Sequence, residues 1–113
     1  MRVTLIDREN YHLFQPLLYQ VATAALSPGD ITSLVRAAFR DNARVRVLRG
    51  IVTEVDAAAR RVIADGRVIA YDTLLLATGA THGYFGHEEW AVYAAGPKSV
   101  ADATSMRSRI LEF

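Results

Sequence analysis

Apolar and polar positions change their spacing along the chain, and each change marks an element. Val3-Thr4-Leu5-Ile6 is a continuous β-rich run that closes on Asp7-Arg8, with Glu9-Asn10 as turn formers, and it predicts a short buried strand. From Gln15 to Ala25, the residues Leu17, Leu18, Val21, Ala22 and Ala25 recur at helical spacing, with Pro16 suited to the first turn. Ser27-Pro28-Gly29-Asp30 breaks that pattern. Asp30 is then an N-cap candidate for a second helix, with Ile31, Leu34, Val35, Ala38 and Phe39 on one apolar face and Asp41-Asn42 as its end.

From Arg44 the period becomes two. Val45, Val47 and Ile51 or Val52 predict a strand, and Val52–Asp56 and Arg61–Ala64 predict neighbouring strands joined over Ala57–Arg60. Asp65-Gly66 reads as a hairpin turn into Arg67–Ala70. Asp72–Ala77 predicts a buried strand that opens into the small-residue loop Ala77-Thr78-Gly79-Ala80-Thr81, and Tyr84, Phe85 and Trp90 are expected to pack the loop after Gly79 onto the sheet. Ser99 with Asp102 three residues on is a capping-box signal for a last helix, whose apolar face is Val100, Ala103, Met106, Ile110 and Phe113. The order is strand, two helices, strand, antiparallel meander, buried strand. It predicts an α/β layer with a meander in place of a crossover helix, and ligands bind such layers at the carboxyl edge of the parallel strands.

Composition narrows this reading. The chain has 113 residues, 51% of them hydrophobic, enough for one domain with a core. A net charge of +1 with interspersed signs gives no footprint for nucleic acid. The absence of cysteine excludes a disulfide framework, thiolate metal sites, a CxxC pair and a cysteine nucleophile. Met1-Arg2 leads directly into a strand-like run rather than a signal peptide, and no apolar stretch reaches the roughly twenty residues that span a bilayer. The expectation is a soluble intracellular protein. His12, His82 and His87 lack metal-ligand spacing, and no serine sits in a G-x-S-x-G elbow.

Three stretches carry candidate chemistry. Asp7 ends a strand, where a carboxylate can accept ribose hydroxyls in dinucleotide folds; taken alone, an ordinary strand-terminal Asp in a turn is the simpler reading. The G-x-G-x-x-G turn that accompanies such an Asp lies about twenty residues upstream, and only six residues precede Asp7. The loop Ala77-Thr78-Gly79-Ala80 lets backbone N–H groups approach a phosphate or a flat ring, although a tight turn also wants Gly. Gln15 and Gln20 with Tyr19 between them interrupt an apolar helix, as in a mixed pocket for a flat ligand, although solvent-facing Gln on a core helix fits the same spacing.

Taken together, "VTLIDRENYHLFQPLLYQVATAALSPGDI", "YDTLLLATGATHGYFGHEEW" and "AAGPKSVADATSMRSRI" closely resemble the type II NADH dehydrogenases, single-subunit flavoprotein NADH:quinone oxidoreductases. The resemblance runs over essentially the whole chain with its motifs in order. It implies a partial FAD/NAD(P)-binding Rossmann-like α/β domain over residues 1–113, from its second strand to the ATG strand and the following helix. The resemblance further implies that the first strand, the glycine-rich turn and the NADH domain are not among residues 1–113.

The implied cofactor is FAD, with NADH and quinone as substrates of the parent enzyme at the inner (plasma) membrane, where it is a cytoplasmic peripheral protein. Asp7 is implied to hold the FAD adenosine ribose, with Arg8 beside the adenine or pyrophosphate. The Gly50–Val52 strand, Val52 foremost, is implied to offer backbone groups to the adenine, and Ala77, Thr78 and Gly79 to pass beside the phosphates and ribityl chain. Pro16, Leu17, Tyr19 and Gln20 are implied to lie on the isoalloxazine and quinone side. No catalytic acid–base residue and no metal are implied, because the cofactor carries the chemistry. Sulfide:quinone oxidoreductases share the ATG loop but match Gln15–Ala25 less well, and many rely on cysteines. The remaining expectations are that the isolated 113 residues are inactive, or a non-catalytic remnant, and that the free edge of Val3–Ile6 favours self-association.

Overall fold

The computed structural model describes residues 1–112, so the expected place of Phe113 on the last helix lies outside the described residues. The chain forms two compact units. The first holds Met1–His12 and Leu34–Ala77, and the second holds Leu13–Ser33 and the chain from Thr78 onward.

In the first unit, β1 (Val3–Asp7) and β4 (Val45–Arg49) pair in parallel, with Val3 opposite Val45 and Asp7 opposite Arg49. Val3 N–H donates to the Arg44 carbonyl and Gly50 N–H to the Asp7 carbonyl, both at 2.9 Å, so the ladder runs on at both ends. No strand among the described residues pairs with the other edge of β1. A meander follows, with β5 (Val52–Asp56), β6 (Arg61–Ala64) and β7 (Arg67–Ala70) antiparallel in that order. Val62 and Ala64 of the central strand are its buried residues. The β6–β7 turn is the expected Asp65-Gly66 pair, with φ of +47° and +74°, the left-handed geometry that a two-residue hairpin demands. At the β5–β6 turn, Asp56 Oδ1 accepts Ala59 N–H at 2.9 Å, while Arg61 meets Oδ2 through Nε at 3.1 Å and Nη2 at 3.0 Å. The Ala59 amide, with the Arg61 charge behind it, holds the Asp56 carboxyl below its ordinary 3.8. The remaining helix of this unit is α2 (Val35–Ala38), a single turn that buries Val35.

In the second unit a 3-10 turn, Gln15–Leu17, runs into α1 (Leu18–Ala22). The helix is shorter than the Gln15–Ala25 spacing predicts, because it closes in a Schellman motif. Ala24 stands at φ +63°, its N–H donates to the Val21 carbonyl at 3.1 Å, and Ala25 N–H donates to the Gln20 carbonyl at 2.8 Å. The left-handed position carries Ala in place of the usual Gly, so the sequence offers no stop signal there. Leu18, Val21 and Ala22 pack with Ile31 and with Ala103 of the last helix, α3 (Val100–Leu111), while Leu13, Leu17, Leu26 and Met106 flank them. A fully buried Leu or Val side chain contributes about 1.5–3 kcal/mol, so this cluster is the main apolar anchor of the unit. The capping box of α3 forms as expected: Asp102 N–H donates to Ser99 Oγ at 3.1 Å, and Ser99 N–H to Asp102 Oδ2 at 2.8 Å. Hydrogen bonding by Ser99, its side chain foremost, holds the Asp102 carboxyl below 3.8.

Four expectations fail. β1 is a strand but not a buried one, with Val3 and Thr4 exposed and Leu5 and Ile6 half-buried, because β4 alone pairs with it among the described residues. Asp30 does not cap a second helix: its Oδ2 accepts Ser27 N–H and Ser27 Oγ–H, both at 2.8 Å, inside a 3-10 turn over Pro28–Ile31. The β-branched Thr32 then turns the chain extended, and β3 (Thr32–Leu34) pairs with a strand the spacing does not announce, β2 (Tyr11–Leu13), leaving only α2 helical. Asp72–Ala77 is neither a strand nor buried, with Leu75 86% exposed, because no strand among the described residues pairs with it. Phe85, at φ +55°, is 97% exposed rather than packed, and Trp90 stacks on the His87 ring at 4.3 Å.

Candidate dinucleotide site

Parallel pairing brings the carboxyl ends of β1 and β4 to one edge, and the β4–β5 junction crosses it. There Arg8, Arg49, Gly50, Ile51 and Asp65 line an open groove of about 330 Å3. Its backbone is tied from both sides. Gly50 N–H reaches the Asp7 carbonyl, Arg49 Nε donates to the Arg8 carbonyl at 3.3 Å, and Ile51 N–H donates to Asp65 Oδ1 at 3.1 Å. Asp65 N–H returns to the Ile51 carbonyl at 3.1 Å. A Cβ on Gly50 would stand 2.9 Å from Asp65 Oδ2, so only glycine leaves that carboxylate in place.

Asp7 stands beside the groove rather than in its lining. Its Oδ1 accepts Glu9 N–H at 2.9 Å, and its Oδ2 has no donor among the described residues. Arg8 is exposed, with Nε 3.8 Å from the Glu9 carboxylate, a distance at which an exposed pair fixes little. Val52 opens β5 opposite Ala64, and it is the preceding Ile51 that faces the groove. Sequence reasoning missed Arg49 and Asp65. The signal for Arg49 is the register that sets it opposite Asp7; Asp65 was already visible as the first residue of a turn, but only the folded hairpin shows its carboxylate reaching back fourteen residues to Ile51.

The other expected residues lie apart in sequence and are described singly. Ala77, Thr78 and Gly79 are exposed. Gly79 takes φ +74°, and a Cβ there would meet nothing within 4 Å, so backbone conformation alone asks for glycine. Pro16 is exposed in the first 3-10 turn, and Leu17 packs against the core cluster. Tyr19 is exposed, and its hydroxyl accepts Gln20 Nε2–H at 2.9 Å.

A groove lined by two arginines, Gly50, Ile51 and Asp65, beside an Asp7 whose Oδ2 has no donor among the described residues, suits a polar ligand that carries hydroxyls. Comparison with known proteins places the chain in a family. Residues 1–111 match the pyridine nucleotide-disulphide oxidoreductases. The chain belongs to this family. Its fold is accordingly a partial Rossmann-like α/β domain with a small antiparallel meander. Within the family it is 46% identical to the type II NADH:quinone oxidoreductase NdhA of Mycobacterium tuberculosis, over 96% of this chain and 24% of that protein. NDH2 from Plasmodium falciparum, solved in complex with NADH, superposes with a TM-score of 0.85 at 27% identity, over 98% of this chain and 24% of its own. The sulfide:quinone oxidoreductase of Aquifex aeolicus superposes with a TM-score of 0.83 at 23% identity, over 98% of this chain and 26% of its own, a likeness of fold alone. The chain thus spans about a quarter of the length of each of these proteins.

Proposed function

We propose that these residues form part of the FAD site of an NADH:quinone oxidoreductase, in which NADH is oxidised and a quinone takes up two electrons and two protons. The observation that carries this reading is the 46% identity to a type II NADH:quinone oxidoreductase across 96% of the chain. The residues present fit the adenosine end of FAD: Asp7 Oδ2 has no donor among the described residues, Arg8 and Arg49 line the groove, and Gly50 adds no side chain to it. FAD, when bound, supplies a two-electron carrier between NADH and quinone. Asp7 accepts the ribose hydroxyls, Arg8 offers its guanidinium to the adenine or pyrophosphate, and the Gly50–Val52 backbone offers groups to the adenine. Ala77, Thr78 and Gly79 give the phosphates and ribityl chain a surface without bulky side chains. Pro16, Leu17, Tyr19 and Gln20 serve the flavin and quinone side, with the Tyr19–Gln20 hydrogen bond fixing both polar ends.

In this reading residues 1–113 belong to one FAD domain. The protein works as a peripheral protein on the cytoplasmic side of the membrane that holds its quinone. No helix among the described residues is long and apolar enough to cross a membrane. The exposed Leu75 and Leu76 and the free edge of β1 supply a surface for self-association.

The test is steady-state oxidation of NADH and of sulfide by the natural full chain, with flavin content measured in parallel. Bound FAD with quinone-dependent NADH oxidation is the expected result. A preference for sulfide would move the protein to the sulfide:quinone class, and absence of flavin would leave a non-catalytic module.

A further inference from the structure

We propose that Asp65 is a positioning residue for the adenosine end of the dinucleotide, acting through the backbone of Gly50 and Ile51; this rests on the FAD reading above. The β4–β5 junction is where the ladder changes partners. Val45–Arg49 pairs with β1, and from Val52 the chain pairs with β6. Gly50 and Ile51 fall between the two ladders, and a junction of that kind is free to take several conformations unless side chains fix it. Asp65 fixes it. Its Oδ1 receives Ile51 N–H, its own N–H donates to the Ile51 carbonyl, and its Oδ2 occupies the space beside the Gly50 Cα. Gly50 N–H meanwhile donates to the carbonyl of Asp7. A single carboxylate on the hairpin turn is thereby linked, through two junction residues, to the end of β1 that carries Asp7 and Arg8.

The turn and the clamp make different demands on position 65. At φ +47° the turn favours Gly, Asn or Asp. The clamp requires a side-chain acceptor, which Asp and Asn possess and Gly lacks. Substitutions can therefore separate the two. Asp65→Gly keeps the turn and removes the acceptor, whereas Asp65→Asn keeps both. Gly50→Ala reaches the same clamp from the other side, because its methyl displaces the carboxylate that Ile51 needs.

The experiment measures the dissociation constant of the natural full chain for FAD, with the melting temperature of the flavin-free protein as the control for folding. Asp65→Asn is expected to bind within about twofold of wild type, and Asp65→Gly about tenfold more weakly, the scale of one lost hydrogen bond, with the flavin-free chain still unfolding cooperatively at a melting temperature only slightly lower, because the lost bond is exposed. Gly50→Ala is expected to weaken binding similarly in the wild-type background and to add little in the Asp65→Gly background, because the group it displaces is gone. Wild-type affinity in Asp65→Gly, or an equal loss in Asp65→Asn, overturns the positioning role alone. A wild-type chain that takes up no FAD overturns the reading of the site and this role with it.

Discussion

The meander over residues 52–70 and the run over residues 72–77 are neighbours in sequence and opposites in outcome. The run is the more apolar, with three consecutive leucines, yet Leu75 is 86% and Leu76 66% exposed. The meander carries charged residues in and between its strands, yet Val62 and Ala64 on its central strand are only 4% and 5% exposed. What differs is the reach of the partner. Each meander strand pairs with the next across a short turn, closed by Asp65-Gly66 at one end and by Asp56 and Ala59 at the other. Antiparallel pairing of this kind closes over a few residues, whereas a strand buried in a parallel layer depends on partners reached by long crossovers. Hydrophobicity gives the run a reason to be buried and only a partner can bury it.

The largest expected effect tests the buried side of this contrast. Val62→Ala removes packing on the central strand, and the loss of buried methyl groups with the cavity left behind is expected to destabilise the chain by about 2 kcal/mol. Denaturant unfolding followed by circular dichroism measures it. A loss below about 0.5 kcal/mol would mean that the meander has no core of its own.

A smaller effect concerns the turn that closes the meander. The Asp56 carboxyl lies below its ordinary 3.8 in the folded chain, held by the Ala59 amide first and the Arg61 charge behind it. Over the window from about 3.8 downward, the unfolded chain binds the proton more readily than the folded one. The contribution of Asp56 is therefore complete above that window and is lost as pH falls through the lower folded value. Melting temperature followed against pH should show Asp56→Asn below wild type at neutral pH, with the two curves converging in acid. Parallel curves would assign the loss to hydrogen-bond geometry rather than to ionisation. Asp102, lowered by Ser99, adds a descent of the same sign in the second unit.

These contrasts also explain what the sequence could reveal. The meander, β4 and the Ser99–Asp102 cap were legible because their determinants lie within a few residues of one another: period-two alternation, an Asp-Gly pair, a capping box. The end of α1 was hidden because Ala24 takes the left-handed position that glycine usually marks. The second helix was misread because Ser27 and Asp30 satisfy each other inside a 3-10 turn, and pairing with β2, distant in sequence, then claims Thr32–Leu34. In the site, Asp7 is legible as a strand end, whereas Gly50–Val52 comes only from the family resemblance. Arg49 and Asp65 needed the register and the folded hairpin, both of them long-range facts.

The smallest expected effect falls on the exposed side of the contrast and discriminates most. Leu75→Ser removes an apolar side chain that meets little of the described chain, so stability of the monomer should change by less than about 0.5 kcal/mol. Cost in the monomer and cost in an assembly separate at this position. If the run is a surface that a second copy covers, wild type should sediment as a concentration-dependent oligomer and Leu75→Ser should shift toward monomer without losing its circular dichroism. If wild type and variant sediment alike while the melting temperature falls by several degrees, Leu75 is buried within a single chain and its exposure here is overturned. A run of leucines left at the surface marks pairing still to be completed, and this substitution reports whether a second copy completes it.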